Sequence, residues 1–352
     1  MFDSLQPGRW ARCGRRFVEE GRGEMSDRLK MLGGDAPVAP EDRAPGFLRG
    51  AGARSPLFWK LMLVVMALMW GYSFFIMKDT LDSIPTFMLL ACRFLISAAV
   101  LFVLFMKRIR VHFNRRNIVV GCAMGVFLGL AYAFQTFGLA ETTAGKNAFL
   151  TGTYCILVPF VSYLMAREPL TRFNVGAAAL CVAGIALVAL DSFSMQRGDA
   201  LTLVGAVFFA LQIATAAKYG RELDVNVITF WMFLTVGVMD AVASLATEPP
   251  VTAVSWMPEL VGTILFLALC CTCLGMLMQN LGLAHVPSST GSLLLSLESP
   301  SGVLFSVLFA GEQLTMRLVA GFALIFTSIV LSETHFSFLL KPYAHVRKRR
   351  ER

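Results

Sequence analysis

Runs of about 20 apolar residues recur from Leu57 to Leu331 of this 352-residue chain, each long enough to cross a hydrocarbon core roughly 30 Å thick. Lipid offers no hydrogen-bond partner to a backbone N–H or C=O, so a spanning chain is confined to helices or a closed barrel, and runs of this length are helices. Only 15% of the residues are charged and 56% are hydrophobic, against about 25% charged in soluble domains. The windows fall at 57–77, 85–106, 118–138, 144–166, 173–190, 199–219, 226–246, 259–280, 287–310 and 316–333. The expected fold class is therefore all-α integral membrane, with ten transmembrane helices. Pro85 and Pro287 stand at helix starts, where a missing N–H costs nothing.

The net charge of +8 would suit nucleic acid if the cations covered a soluble face. They do not, because the Lys and Arg cluster before residue 57, between Lys107 and Arg116, and after Lys341. With the N-terminus placed inside, 25 cations lie in cytoplasmic segments against Lys78, Lys146, Arg197 and Arg317 outside. That bias puts both termini in the cytoplasm and requires an even number of spans. The expected location is the cell (inner) membrane, multi-pass. Residues 1–56 and 334–352 read as basic cytoplasmic tails; the first is rich in Gly, Arg, Pro and Asp, is expected to be disordered, and includes Met25 and Met31 as alternative starts. Seven of the eight Cys fall inside apolar runs, and the CxxC of Cys270 and Cys273 has no second pair or nearby His to make a metal site. No metal, cofactor or nucleic-acid partner is implied; the partners expected are the lipid bilayer and a small-molecule substrate.

The chain also matches itself. A shift of 144 residues lays QTFGLA (135–140) over QNLGLA (279–284) and EPLT (168–171) over EQLT (312–315) without a gap. Seventeen positions across 130–187 are identical at this offset, among them the polar pairs Gln135/Gln279, Ser162/Ser306 and Glu168/Glu312. The repeating unit is five helices, 57–190 and then 199–333, and an odd unit places its second copy upside down in the bilayer. Two inverted units exchange roles about an axis in the membrane plane, which is how an alternating-access transporter is built.

The stretches WGYSFFIMKDTL (70–81), ACRFLISAAV (91–100), TTAGKNAFLTGTYCILVPF (142–160) with REPLT, and SLLLSLESP (292–300) followed by GEQLT resemble the EamA group of the drug/metabolite transporter superfamily. The resemblance covers about residues 57–333. It implies ten helices, cytoplasmic termini and a central cavity lined by both repeats, moving small metabolites such as amino acids or amphipathic drugs, with export as the expected direction.

Glu298 lies about 11 residues into the ninth span, some 16 Å from its end and so near the midplane. A carboxyl there costs at least ~2.5 kcal/mol unless it protonates or faces a wet cavity. It reads as a proton-coupling group or a partner for a substrate ammonium, or else as a buried carboxyl bonded to a neighbouring helix. Arg93 sits at a similar depth in the second span, as a scaffold cation, an anchor for a substrate carboxylate or a partner of Glu298. Pro159 and Pro300 interrupt corresponding spans, and broken helices at matching positions point to a transporter's binding site. The polar residues just before them, Asn147, Thr151 and Tyr154, then Ser292, Ser296 and Glu298, are the expected cavity lining; interhelical hydrogen bonding is the alternative. Trp70, Tyr72 and Phe75 either stack on cargo or form an interfacial belt. Gln135, Gln212, Trp231 and Asp240 are weaker cavity candidates, and Glu168 and Glu312 read as caps or loop clamps.

HExxH, GxSxG and spaced His/Cys clusters are all missing from the sequence, which argues against an enzyme. The leading reading is a secondary transporter; a channel or a non-transporting sensor is the alternative. The charge bias makes a direct prediction: a reporter active only outside the cytoplasm should work when fused after Glu248 and stay silent after Arg115 or at the C-terminus. An active C-terminal fusion would end the ten-span topology.

Overall fold

Among the described residues of the computed structural model, the long apolar runs are helical, as a lipid solvent demands. Residues 55–167, 169–191, 194–219, 222–286 and 294–334 are described; both predicted tails, apart from their inner edges, lie outside this set. The helices are α1 (Pro56–Thr80), α2 (Thr86–Val111), α3 (Arg115–Glu141), α4 (Ala144–Gly152), α5 (Tyr154–Ala166), α6 (Arg172–Ala189), α7 (Arg197–Tyr219) and α8 (Val225–Thr247). They continue with α9 (Pro258–Leu265), a π-helix (Phe266–Leu274), α10 (Gly275–His285), α11 (Glu298–Ala310) and α12 (Met316–Thr334). A two-residue antiparallel pairing, Leu190–Asp191 with Ser194–Met195, joins α6 to α7.

Seven helical segments are long and apolar enough to cross a membrane, with α4–α5 and α9–α10 each acting as one continuous span. The α6 and α12 helices supply shorter apolar stretches, Arg172–Val188 and Met316–Ser332. The protein is a multi-pass helical membrane protein. Pro287, expected to open a helix, lies outside the described residues, and Pro85 is the N-cap residue immediately before α2.

Local chemistry sets the ends. Ser55 caps α1 through the Phe58 N–H, and Pro56 occupies the first helical position. Asn114 caps α3 through the Asn117 N–H, and Asp224 caps α8 through Asn226 and Val227. Asp224 also pairs with Arg108 at 3.4 Å, and Arg116 pairs with Glu222, so one end of α2 and α3 is tied to the entry of α8.

The helix breaks do not sit at the expected prolines. The first is at Thr153, a hinge residue between α4 and α5 whose hydroxyl donates to Leu150 O at 2.6 Å. Pro159 is held within α5, and Pro300 lies in the first turn of α11, where its missing N–H removes no helical bond. The break in the second half is at Leu297, the residue before α11.

These features recur at the repeat offset. Thr153 and Leu297 are 144 residues apart, as are Arg167 and Gly311, the two with left-handed backbone among the described residues (φ 57° and 65°), and the starts of α6 and α12. Glycine takes φ 65° without cost, whereas Arg167 accepts strain there to end α5. Packing follows the same exchange: α1 lies on α11 as α7 lies on α5, and α3 lies on α7 as α10 lies on α1. Matching helices run antiparallel, with Phe94 of α2 against Phe233 of α8 and Phe102 against Phe230. In α6 and α12, Asn174 donates to Ser332 at one end of the contact, and Val188 meets Gly321 at the other.

Small residues let α11 approach its neighbours. A Cβ on Gly71 of α1 would lie 2.1 Å from Ser301 Oγ, and one on Gly302 would lie 2.4 Å from the Ala148 Cβ of α4. Gly302→Val should therefore push α11 off α4 and lower thermal stability by roughly 1–3 kcal/mol, the usual cost of overpacking. Thermal unfolding of the purified protein in detergent checks this; an unchanged midpoint would contradict the close approach.

Candidate functional site

A cavity lies between the two matching halves, with about 670 Å³ of space unoccupied by atoms when the solvent at its mouth is included. The first half contributes Trp70, Arg93, Tyr132, Gln135, Thr151 and Tyr154; the second contributes Phe209, Gln212, Gln279 and Glu298. Apolar side chains of Phe74, Met77 and Leu128 complete the walls. The two halves place equivalent residues in it, since Gln135 matches Gln279 and Tyr154 matches Glu298 at the 144-residue offset.

Arg93 is the most deeply held polar group of this wall, 1% exposed. Its Nε donates to Thr272 Oγ1 at 2.5 Å, Nη1 to Met77 Sδ at 3.2 Å and Nη2 to Tyr132 Oη at 3.5 Å. The guanidinium carbon stands 4.8 Å from the Tyr132 ring centroid, a cation–π distance. Glu298 shares the cavity, but no carboxylate among the described residues comes within ion-pair distance of Arg93. The direct Arg93–Glu298 pair that similar depth suggested is thus absent: the cation is seated on neutral acceptors of α1, α3 and the π-helix. Glu298 is half-buried at the start of α11.

Trp70 belongs to the cavity wall rather than to a surface belt, because its Nε1 donates to Cys271 O at 2.6 Å. Tyr72 and Phe75 face elsewhere and join Phe305 and Phe309 in an aromatic cluster, the Tyr72 and Phe305 centroids 5.2 Å apart. Thr151 lines the cavity and accepts from Gln135 Nε2 at 3.0 Å. Tyr154 lines it beside Phe209.

Asn147 is elsewhere. It is fully buried, and its Nδ2 donates to Gln135 O at 3.0 Å and Thr202 Oγ1 at 2.7 Å, tying α4 to α3 and α7. Ser296 is also buried and lies outside the lining; Ser292 falls outside the described residues. Asn147 sits one turn before Thr151 on the same helix, and there the neighbouring α3 and α7 take up its amide before it can reach the cavity. Of the weaker candidates, Gln135 and Gln212 line the cavity, whereas Trp231 packs on Phe230 and Phe113, and Asp240 is buried in α8. Glu312 accepts from Thr143 Oγ1, Ser306 Oγ and the Gly145 N–H (3.1 Å), a clamp from the loop after α11 onto the start of α4. Glu168 lies outside the described residues.

Sequence reasoning passed over Tyr132, Ser73, Phe209 and Gln279. Tyr132 had a usable signal, a phenol in the middle of a span instead of at its interfacial end. Gln279 was visible only as the mate of Gln135.

The described residues form a multi-pass helical bundle around a polar cavity, and the comparisons with known proteins place it in a family. The family model described as the EamA-like transporter family matches twice, over residues 57–190 and 196–334. An uncharacterized transporter of Archaeoglobus fulgidus is 30% identical over 283 residues, covering 80% of this chain and 88% of that protein. Uncharacterized transporter YoaV of Bacillus subtilis is 24% identical, covering 79% of this chain and 97% of YoaV. A solved crystal structure with 17% identity has a similar fold, with a TM-score of 0.58 over 78% of this chain and 96% of its own. The chain belongs to the EamA-like transporter family.

The lining makes a labelling prediction. In a background without native Cys, cysteine at Tyr132, Tyr154 or Gln279 should react with a small membrane-impermeant thiol reagent, at least tenfold faster than cysteine at Asn147 or Ser296. Comparable rates at all five positions would move the water-filled path away from this cavity.

Proposed function

We propose that the protein is a secondary transporter that exports small amphipathic metabolites, amino acids among them, across the cell membrane by alternating access. In this reading ten spans form two inverted five-helix units, 57–190 and 199–333, with both termini cytoplasmic. The antiparallel packing of α2 on α8 and of α6 on α12, and the exchange of contacts between halves, support it.

The single observation that carries the reading is the cavity itself, which lies between the two halves and is lined by both. A site shared by two such units is exposed to one side of the membrane or the other as they rock. The lining defines a cargo chemistry: a guanidinium, a carboxyl, two glutamines, and aromatic walls from Trp70, Tyr132, Tyr154 and Phe209. A zwitterion with an apolar or aromatic body fits it. L-phenylalanine is a suitable probe, and saturable counterflow of it in proteoliposomes, in place of an ohmic current, would distinguish a carrier from a channel.

Glu298 is the proposed coupling group, a cavity carboxyl without a described hydrogen-bond partner for its oxygens that can take a proton from one side and release it to the other. Glu298→Gln keeps the shape but cannot exchange a proton. It should abolish pH-gradient-driven accumulation and spare substrate-for-substrate exchange, while Glu298→Asp should shift the pH optimum. Accumulation by Glu298→Gln equal to that of the parent would leave Glu298 a structural carboxyl; loss of both modes in a folded protein would instead make it a direct partner of the cargo's ammonium.

A further inference from the structure

Within the α9–α10 span the chain runs as a π-helix from Phe266 to Leu274, a rare geometry that tends to occur at functional sites. Here it arranges a hydroxyl. Thr272 Oγ1 lies 2.9 Å from Leu267 O, five residues back, and gives that carbonyl its proton. A threonine has one O–H, so towards Arg93 Nε, at 2.5 Å, it acts as acceptor alone. The carbonyl of the preceding residue, Cys271, accepts from Trp70 Nε1, and Ala268 O accepts from Ser97 Oγ at 2.9 Å. The π-helix is thereby fastened to α1 and α2 on either side of the Arg93 contact.

We propose that Thr272 is a positioning residue that holds Arg93 by Nε and leaves its Nη edge available to the carboxylate of a bound molecule. A guanidinium has five N–H groups. One is spent on Thr272, one on Met77 Sδ and one on a long contact to Tyr132 Oη. That leaves one on each Nη with no described partner, on a buried cation that lines the cavity and has no carboxylate in ion-pair range among the described residues. A planar fork with an open N–H on each prong matches a carboxylate bidentately, and such a ligand would supply the contact ion pair that Glu298, elsewhere in the same cavity, does not make. With Nε tethered, the guanidinium cannot rotate to meet the ligand through its other edge. The proposal rests on the transporter reading only in calling the ligand a cargo.

The test separates the two. In the full-length protein in nanodiscs, phenylglyoxal modification of Arg93 is followed by peptide mass spectrometry, with sodium benzoate or benzylamine as competitor. Benzoate should protect Arg93 in the parent and in Thr272→Ser, and benzylamine should not. Thr272→Val, of similar shape but with no acceptor, should need roughly tenfold more benzoate, the effect of losing one charge-assisted hydrogen bond. Thr272→Ala gives the same reading if the valine variant is poorly folded. Equal protection of the parent and the acceptor-less variant, no protection in the parent, or lost protection in Thr272→Ser would each overturn the proposal. Protection in the expected order without L-phenylalanine counterflow would leave Thr272 in its role and remove that cargo from the proposed function.

Discussion

A backbone in lipid must satisfy its own hydrogen bonds, and the architecture follows from that requirement. Regular helix is the default, and departures are tolerated only where protein can supply the missing partners. At Thr153 the threonine hydroxyl serves Leu150 O, and at the π-helix Trp70, Ser97 and Thr272 bond to its carbonyls. One of these groups, Trp70, also lines the polar cavity.

Charge obeys the same economy. Buried Asp199 bonds to Thr142 and pairs with Lys146 at 3.7 Å near the starts of α4 and α7. Glu248 accepts from the Phe87 and Met88 N–H groups and so closes the N-terminus of α2, where a carboxylate also meets the positive end of the helix dipole. Arg93 stands apart from these in having no described anionic partner. A cation kept in a low-dielectric interior on neutral acceptors is costly as scaffolding, and its place in the cavity wall gives that cost a use.

Much of the fold was legible because its rules are one-dimensional. Span length and the 144-residue self-match each depend on order along the chain, and the turn residues Arg167 and Gly311 fall on that offset without any knowledge of packing. The site was legible in part. Glu298, Arg93, Thr151 and Tyr154 stood out as polar groups inside apolar runs, but Asn147 is taken up by Gln135 O and Thr202 of neighbouring helices, partners that order along the chain does not reveal. The π-helix left no sequence signal at all, since FLALCCTCL reads as ordinary apolar helix. Its carbonyls and its Thr272 hydroxyl are bonded by Ser97, Arg93 and Trp70, 171, 179 and 201 residues earlier along the chain.

The antiparallel contact between α6 and α12 bears on biogenesis. The α6 face that carries Ala177, Cys181 and Val188 is buried in a cluster with Phe322, Ile325 and Ile329 of α12, the last helix of the described chain. During synthesis α6 enters the membrane some 140 residues before that partner exists, so lipid must cover the face in the interval. An apolar surface with small residues can wait in acyl chains at little cost, whereas Asn174, whose Nδ2 bonds to Ser332, cannot find its partner until the end. Completion of the chain is thus marked at α6 by one polar contact, and a product truncated before α12 would expose an amide to lipid that membrane quality control could detect.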